Sequence, residues 1–181
     1  MGYRHQREDM LKTAVELALA EGLGALSFGR VARLVGTNDR TVVYYFPTKA
    51  DLMGNVVLVL GGELQELLAR AFGEGALPPA DLLARSWPVL NSEQAQPLIA
   101  IFFEIIGQAA VSRAPFDELA PALLDQWLAW LEPRIDVEDP DRRHADALAL
   151  LAQLDGLLLI RTVAGQESAG LAARALRIDS D

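Results

Sequence analysis

The segment "SFGRVARLVGTNDRTVVYYFPTKAD", residues 27–51, is punctuated so closely that it admits only short helices. Ser27 is a good N-cap, and the apolar positions Val31, Ala32, Leu34 and Val35 run from it to Gly36, where a left-handed C-cap residue is easiest for glycine. Asn38 caps a second helix in the same way. "DRTVVYYF" gives that helix about two turns before Pro47, which has no N–H to continue it. Thr48 and Asp51 then form a T-x-x-D capping box at the start of a further helix. Two short helices joined by a tight turn are fixed by local chemistry alone.

The flanking sequence is helical too. Residues 5 to about 21 place Leu11, Ala14, Val15, Ala18 and Leu19 at the spacing of one buried stripe, and Gly22 and Gly24 end it. After the capping box, Val56, Val57, Leu60, Leu64 and Leu67 lead to Phe72 in a long helix. "GEGALPP" reads as a linker; beyond it Leu82, Leu83 and Trp87 begin a helix that Pro88 and Asn91 break before "SEQAQPLIAIFFEIIGQAAV". "SRAPFDELAP" is a turn-rich corner. "ALLDQWLAWL", the polar gap "EPRIDVEDPDRR", the apolar "HADALALLAQLDGLLLIRTVAG" and a short amphipathic "LAARALRI" follow. With no period-2 apolar run and no repeat, the expectation is an all-α fold of about nine or ten helices.

Charge is distributed unevenly. The net charge of −9 argues against a general nucleic-acid coat, yet residues 1–49 hold seven basic side chains against five acidic ones, and the other 132 hold nine against twenty. One end suits an anionic partner and the rest repels it. A chain of 181 residues, 51% hydrophobic and without cysteine, buries a core and fits a reducing interior, so cytoplasm is expected. The N-terminus "MGYRHQREDMLK" has no apolar signal core, and runs such as "LIAIFF" fall short of the ~20 residues of a membrane span, so no membrane partner is expected. The isolated histidines His5 and His144 are accompanied by no metal-spaced cluster, phosphate loop or nucleophile elbow; neither an enzyme nor a cofactor or metal is expected.

Two short helices after a packing helix describe a three-helix, helix-turn-helix DNA-binding head. In that arrangement the first turn after Asn38 enters a major groove. Arg40 would donate two parallel bonds to guanine and Thr41 would touch a thymine methyl. Asp39 would either accept from cytosine N4 or serve the helix dipole. Tyr44, Tyr45, Thr48 and Lys49 would line the groove wall, with the amides of the next helix as a phosphate seat. Ser27, Thr37 and Asn38 complete the candidate DNA contacts. One of the tyrosines, Tyr45 by its spacing to Phe46, has an alternative place between head and fourth helix.

The whole segment "AVELALAEGLGALSFGRVARLVGTNDRTVVYYFPTKADLMGNVV" resembles the N-terminal domain of the tetracycline-repressor (TetR) family, over roughly residues 8 to 57. The marks are the "AEG" helix end, "VARLVG", and "TVVYYFPTK". The family commonly has tyrosine where this chain has Val43 and histidine where it has Tyr45. The resemblance implies an Ω-shaped homodimer with a DNA-binding domain over 1–52 and a helical ligand-binding and dimerisation domain over 53–181, whose small-molecule effector weakens operator binding. The usual outcome is a repressor on a palindromic operator. A helical protein-interaction module that has lost DNA binding is the alternative.

In the body, polar Glu104, Gln108 and Arg113 among Trp87, Phe103, Phe116 and Trp127 suit a small, largely apolar ligand, and Asp155 joins them as a candidate. The stretches 117–132 and 144–164 are more apolar than a monomer surface should be, and are expected to form a dimer interface of two helices per subunit. Asp155 and Arg161 lie inside the second stretch. Charge there is costly unless paired, which leaves both residues open to interface or pocket.

Overall fold

The computed structural model describes residues 2–178, with side chains from Gln6 onward, so the side chain of His5 lies outside the described residues. Eight α-helices and two single 3-10 turns account for the regular structure there. They are α1 (Gly2–Glu21), a 3-10 turn (Leu23–Ala25), α2 (Phe28–Val35), α3 (Asp39–Tyr45), α4 (Lys49–Phe72), α5 (Pro79–Leu90), α6 (Gln96–Ala109), α7 (Phe116–Leu131), a second 3-10 turn (Glu132–Arg134) and α8 (Pro140–Ala175). The all-α expectation holds. An isolated bridge pairs Leu77 with Ile135.

Helix ends follow the capping chemistry. Ser27 Oγ accepts from the Arg30 amide, Asn38 Oδ1 accepts from the Thr41 amide at 3.1 Å, and Gly36 closes α2 with φ 78 and ψ 34. At the start of α4 the Thr48 amide donates to Asp51 Oδ2 at 2.9 Å while the Asp51 amide donates to Thr48 Oγ1 at 3.0 Å. That reciprocal pair is a complete capping box. Thr48→Ala is expected to cost about 1 kcal/mol of stability, read as a lowered urea midpoint.

Two elements run on where the sequence suggests a stop. Pro88 lies inside α5, which ends only at Leu90, with the Asn91 amide donating to Trp87 O at 2.8 Å. Pro121 lies inside α7, which starts at Phe116 rather than after the corner: four successive amides from Phe116 to Leu119 find acceptors on Arg113 and Pro115. A proline removes one donor and crowds the carbonyl four residues before it, yet both helices continue past theirs. In α8, by contrast, the break between the two apolar stretches is real, because Gly165 has φ 85 and ψ 173 within it.

The chain divides into two compact units, one comprising Met1–Leu64 and Ala100–Leu123, the other Gln65–Ile99 and Leu124–Asp181. In the first, α2 packs on α1 and α3, around Met10, Ala14, Leu23, Leu26, Val31, Val42, Phe46, Leu52 and Met53, none more than 1% exposed. In the second, α5 packs on α8, with Leu82, Trp87, Leu131, Leu157 and Ala173 buried. Two helices, α4 and α8, are long and apolar enough to cross a bilayer by length and composition, with mean hydropathy 1.3 and 1.7, although the contiguous apolar runs in the sequence are short. In α4, Leu52, Met53, Val56, Val57, Leu60, Leu64, Leu68 and Phe72 are buried in the protein itself.

Candidate nucleic-acid interface

In α3 the alternation of buried and free side chains is what a reading helix needs. Val42 and the C-cap Phe46 are fully buried, so the helix is pinned along one side. Asp39, Arg40 and Tyr44 are exposed on the other, Tyr44 at 75%, while Thr41 and Tyr45 are half-buried. The Tyr44 ring meets Tyr45 edge-on, with centroids 5.1 Å apart. Of the two tyrosines, Tyr44 is the one presented outward.

The basic groups of this unit have separate uses. The Arg7 guanidinium donates to Asn55 Oδ1 at 2.7 Å and stands 5.1 Å over the Phe46 ring, so it ties α1 to the end of α3 and the start of α4. Arg30 pairs with Glu21 at 2.6 Å, which lowers the Glu21 carboxyl below its ordinary range and raises the arginine. Arg33, Arg40 and Lys49 are exposed, and among the described residues none takes part in an ion pair or a hydrogen bond. These three remain available to phosphates or base edges.

Asp39 takes a definite position. Its carboxylate rests against Gly29 in the first turn of α2, where a Cβ on that glycine would sit 3.4 Å from Oδ2. The negative charge therefore faces the positive start of α2 as well as that of its own helix. Of the other candidate DNA contacts, Thr37 is half-buried, Thr48 and Lys49 are exposed beside the capping box, and Ser27 and Asn38 spend a side-chain oxygen on their caps.

The fold and the head's geometry match known proteins. The profile of bacterial regulatory proteins of the tetR family matches residues 10–56. Over those residues the head is similar to the tetR family. The rest of the chain shares that family's fold. A Rhodococcus sp. protein assigned to the TetR-family transcriptional regulators superposes with a TM-score of 0.73 at 17% identity, covering 98% of each chain. A TetR transcriptional regulator from Legionella pneumophila gives 0.62 at 18% identity, covering 93% of each. The multidrug binding protein EbrR, solved with imidazole, gives 0.69 at 22% identity, covering 100% of this chain and 92% of its own. No curated protein matches in sequence.

The expected ligand residues fall into two groups. Phe103, Glu104, Gln108, Arg113 and Phe116 belong to the unit that contains the head. There Phe116 is buried, Arg113 donates to Gln108 Oε1 at 2.9 Å, and Phe103 stacks edge-on with Phe102. Glu104 has both carboxylate oxygens engaged by backbone amides. Trp87, Trp127 and Asp155 belong to the other unit, where Trp87 is buried and Trp127 meets Trp130 edge-on at 5.6 Å. Trp130 also carries Arg134 over its face at 4.0 Å.

Asp155 is half-buried, and burial pushes its carboxyl up to about 6. Arg161 donates to Leu90 O at 3.4 Å, and burial lowers it, against the raising effect of Glu93. Sequence reasoning passed over Gln65 and Asn91, whose Nε2 and Oδ1 are sealed from solvent without a partner. A buried polar atom leaves no trace in composition or periodicity.

Proposed function

We propose that the protein is a ligand-responsive repressor that binds a palindromic operator as a homodimer and is released by a small, largely apolar molecule. The observation that carries the reading is α3 itself: Val42 and Phe46 anchor one side while Arg40 and Tyr44 stand free on the other. Arg40 supplies the bidentate base contact and Lys49 a phosphate contact at the start of α4. Two such heads from a dimer double the phosphate contacts. Modest local charge then suffices, and the acidic remainder discourages indiscriminate coating.

The partner copy has a surface to meet. Leu124 on α7 and Leu148, Leu159, Ile160 and Val163 on α8 are exposed, Val163 at 78%, along the two stretches expected at an interface. For the effector, the support is polar groups sunk in apolar surroundings: Gln65 Nε2 and Asn91 Oδ1 without partners, and an Asp155 carboxyl raised by burial. EbrR, of the same fold, has been solved with imidazole and with proflavin, which fits a role for small planar molecules here.

Selection from fragmented genomic DNA with purified protein tests the reading. Wild type is expected to enrich a two-fold symmetric site. Arg40→Ala is expected to weaken that site by ~1–3 kcal/mol and relax preference at the guanine it reads. If no fragment is enriched, the chain is a helical interaction module without DNA binding; if Arg40→Ala leaves affinity and preference untouched, base readout is assigned to the wrong residue.

A further inference from the structure

The Glu104 carboxylate reaches back 80 and 81 positions in sequence to the corner between α1 and α2. Oε2 accepts from the Leu23 amide and Oε1 from the Gly24 amide, both at 2.8 Å. Glu104 lies on α6, and these amides open the 3-10 turn that joins the first two helices of the head. The corner is shaped to receive the carboxylate. Gly22 has φ 87, and a Cβ there would stand 2.8 Å from Oε2; at Gly24 it would stand 3.4 Å from Oε1. A larger side chain at position 22 would be strained at this φ and would have to displace Oε2.

Two charge-assisted bonds donated by two consecutive amides to one carboxylate fix position and orientation together, which a single contact does not. Leu23, between the two glycines, is fully buried and fastens the corner to the core, and α2 packs directly on α1 and α3. We propose that Glu104 is the head-positioning residue of the protein: where α6 carries its carboxylate, the α1–α2 corner and the reading helix behind it must follow. An effector that displaces α6 then acts on DNA affinity through these two hydrogen bonds. The inference deepens the repressor reading above and rests on it.

The test combines amide exchange with an operator series, using the full chain. In wild type the Leu23 and Gly24 amides are protected, and binding falls when the half-sites of the selected operator are moved apart by a single base pair. Glu104→Ala is expected to deprotect those two amides and to weaken discrimination between the two spacings by about 10-fold, within the ~5–150-fold range of coupling between sites. Glu104→Gln, with one acceptor oxygen left, is expected to recover part of it and serves in its place if the alanine variant does not fold. A uniform loss of affinity at both spacings, or unchanged exchange at both amides, overturns the inference. A wild-type protein that enriches no DNA overturns the repressor reading and this one with it, whereas enrichment with unchanged spacing discrimination in both variants overturns only this one.

Discussion

Phe46→Ala is expected to cost the head about 3–5 kcal/mol, the usual loss for a fully buried phenyl ring including the cavity it leaves. Natural domains have only about 5–15 kcal/mol to lose. The ring has no exposure and sits at the C-cap of α3, where its own amide donates to Val42 O at 2.9 Å. It also lies beneath the Arg7 guanidinium, which would lose that partner. The unit containing the head has no tryptophan, since Trp87, Trp127 and Trp130 all belong to the other. Urea unfolding followed by far-UV circular dichroism should therefore show a large early transition that tryptophan fluorescence follows less. A dichroism midpoint within error of wild type would mean that Phe46 does not anchor the reading helix.

The second large effect is a pH dependence carried by Asp155. Its carboxyl is raised from 3.8 to about 6 by burial, and among the described residues no hydrogen bond or ion pair reaches it. Between those values the folded protein holds a proton that the unfolded chain has shed, so this group's contribution to stability falls as pH rises through the window. At ~1.4 kcal/mol per unit the shift sets a ceiling near ~3 kcal/mol, and partial exposure reduces the expected effect to about 1–2 kcal/mol. Asp155→Asn should thus match wild type near pH ~4 and exceed it in stability by that amount above pH ~6. Urea midpoints for the pair across the window decide it, because all other titrations are shared. Parallel curves would show that the carboxyl is solvated after all.

The head was legible because its determinants are local. Ser27, Gly36, Asn38, Thr48 and Asp51 each act on amides within three or four residues, and each does in the structure what its chemistry implies. The separation of Tyr44 from Phe46 follows from helical spacing. The prolines misled in α5 and α7, since whether a helix survives one missing donor depends on the turns around it. Long-range use of side chains was beyond reach. Glu104 reads as a polar group among phenylalanines, a sound reason to place it in a pocket, and nothing near it in sequence announces two amides some eighty positions earlier. Arg7 is similar: its service to Phe46 and Asn55 removes it from the basic groups that charge counting offers to DNA.

The dihedrals of Gly165 set an unusual condition on replacement. At φ 85 and ψ 173 no atom beyond the neighbouring backbone lies within 4 Å of where the Cβ of an L residue would point, so for such a residue volume is no obstacle and only handedness is. Mirror-image alanine finds these torsions as comfortable as an ordinary residue finds extended backbone. Installed by joining a synthetic C-terminal peptide to the expressed remainder, D-alanine should leave α8 with its interruption intact, whereas L-alanine at the same place should press the two segments toward one continuous rod.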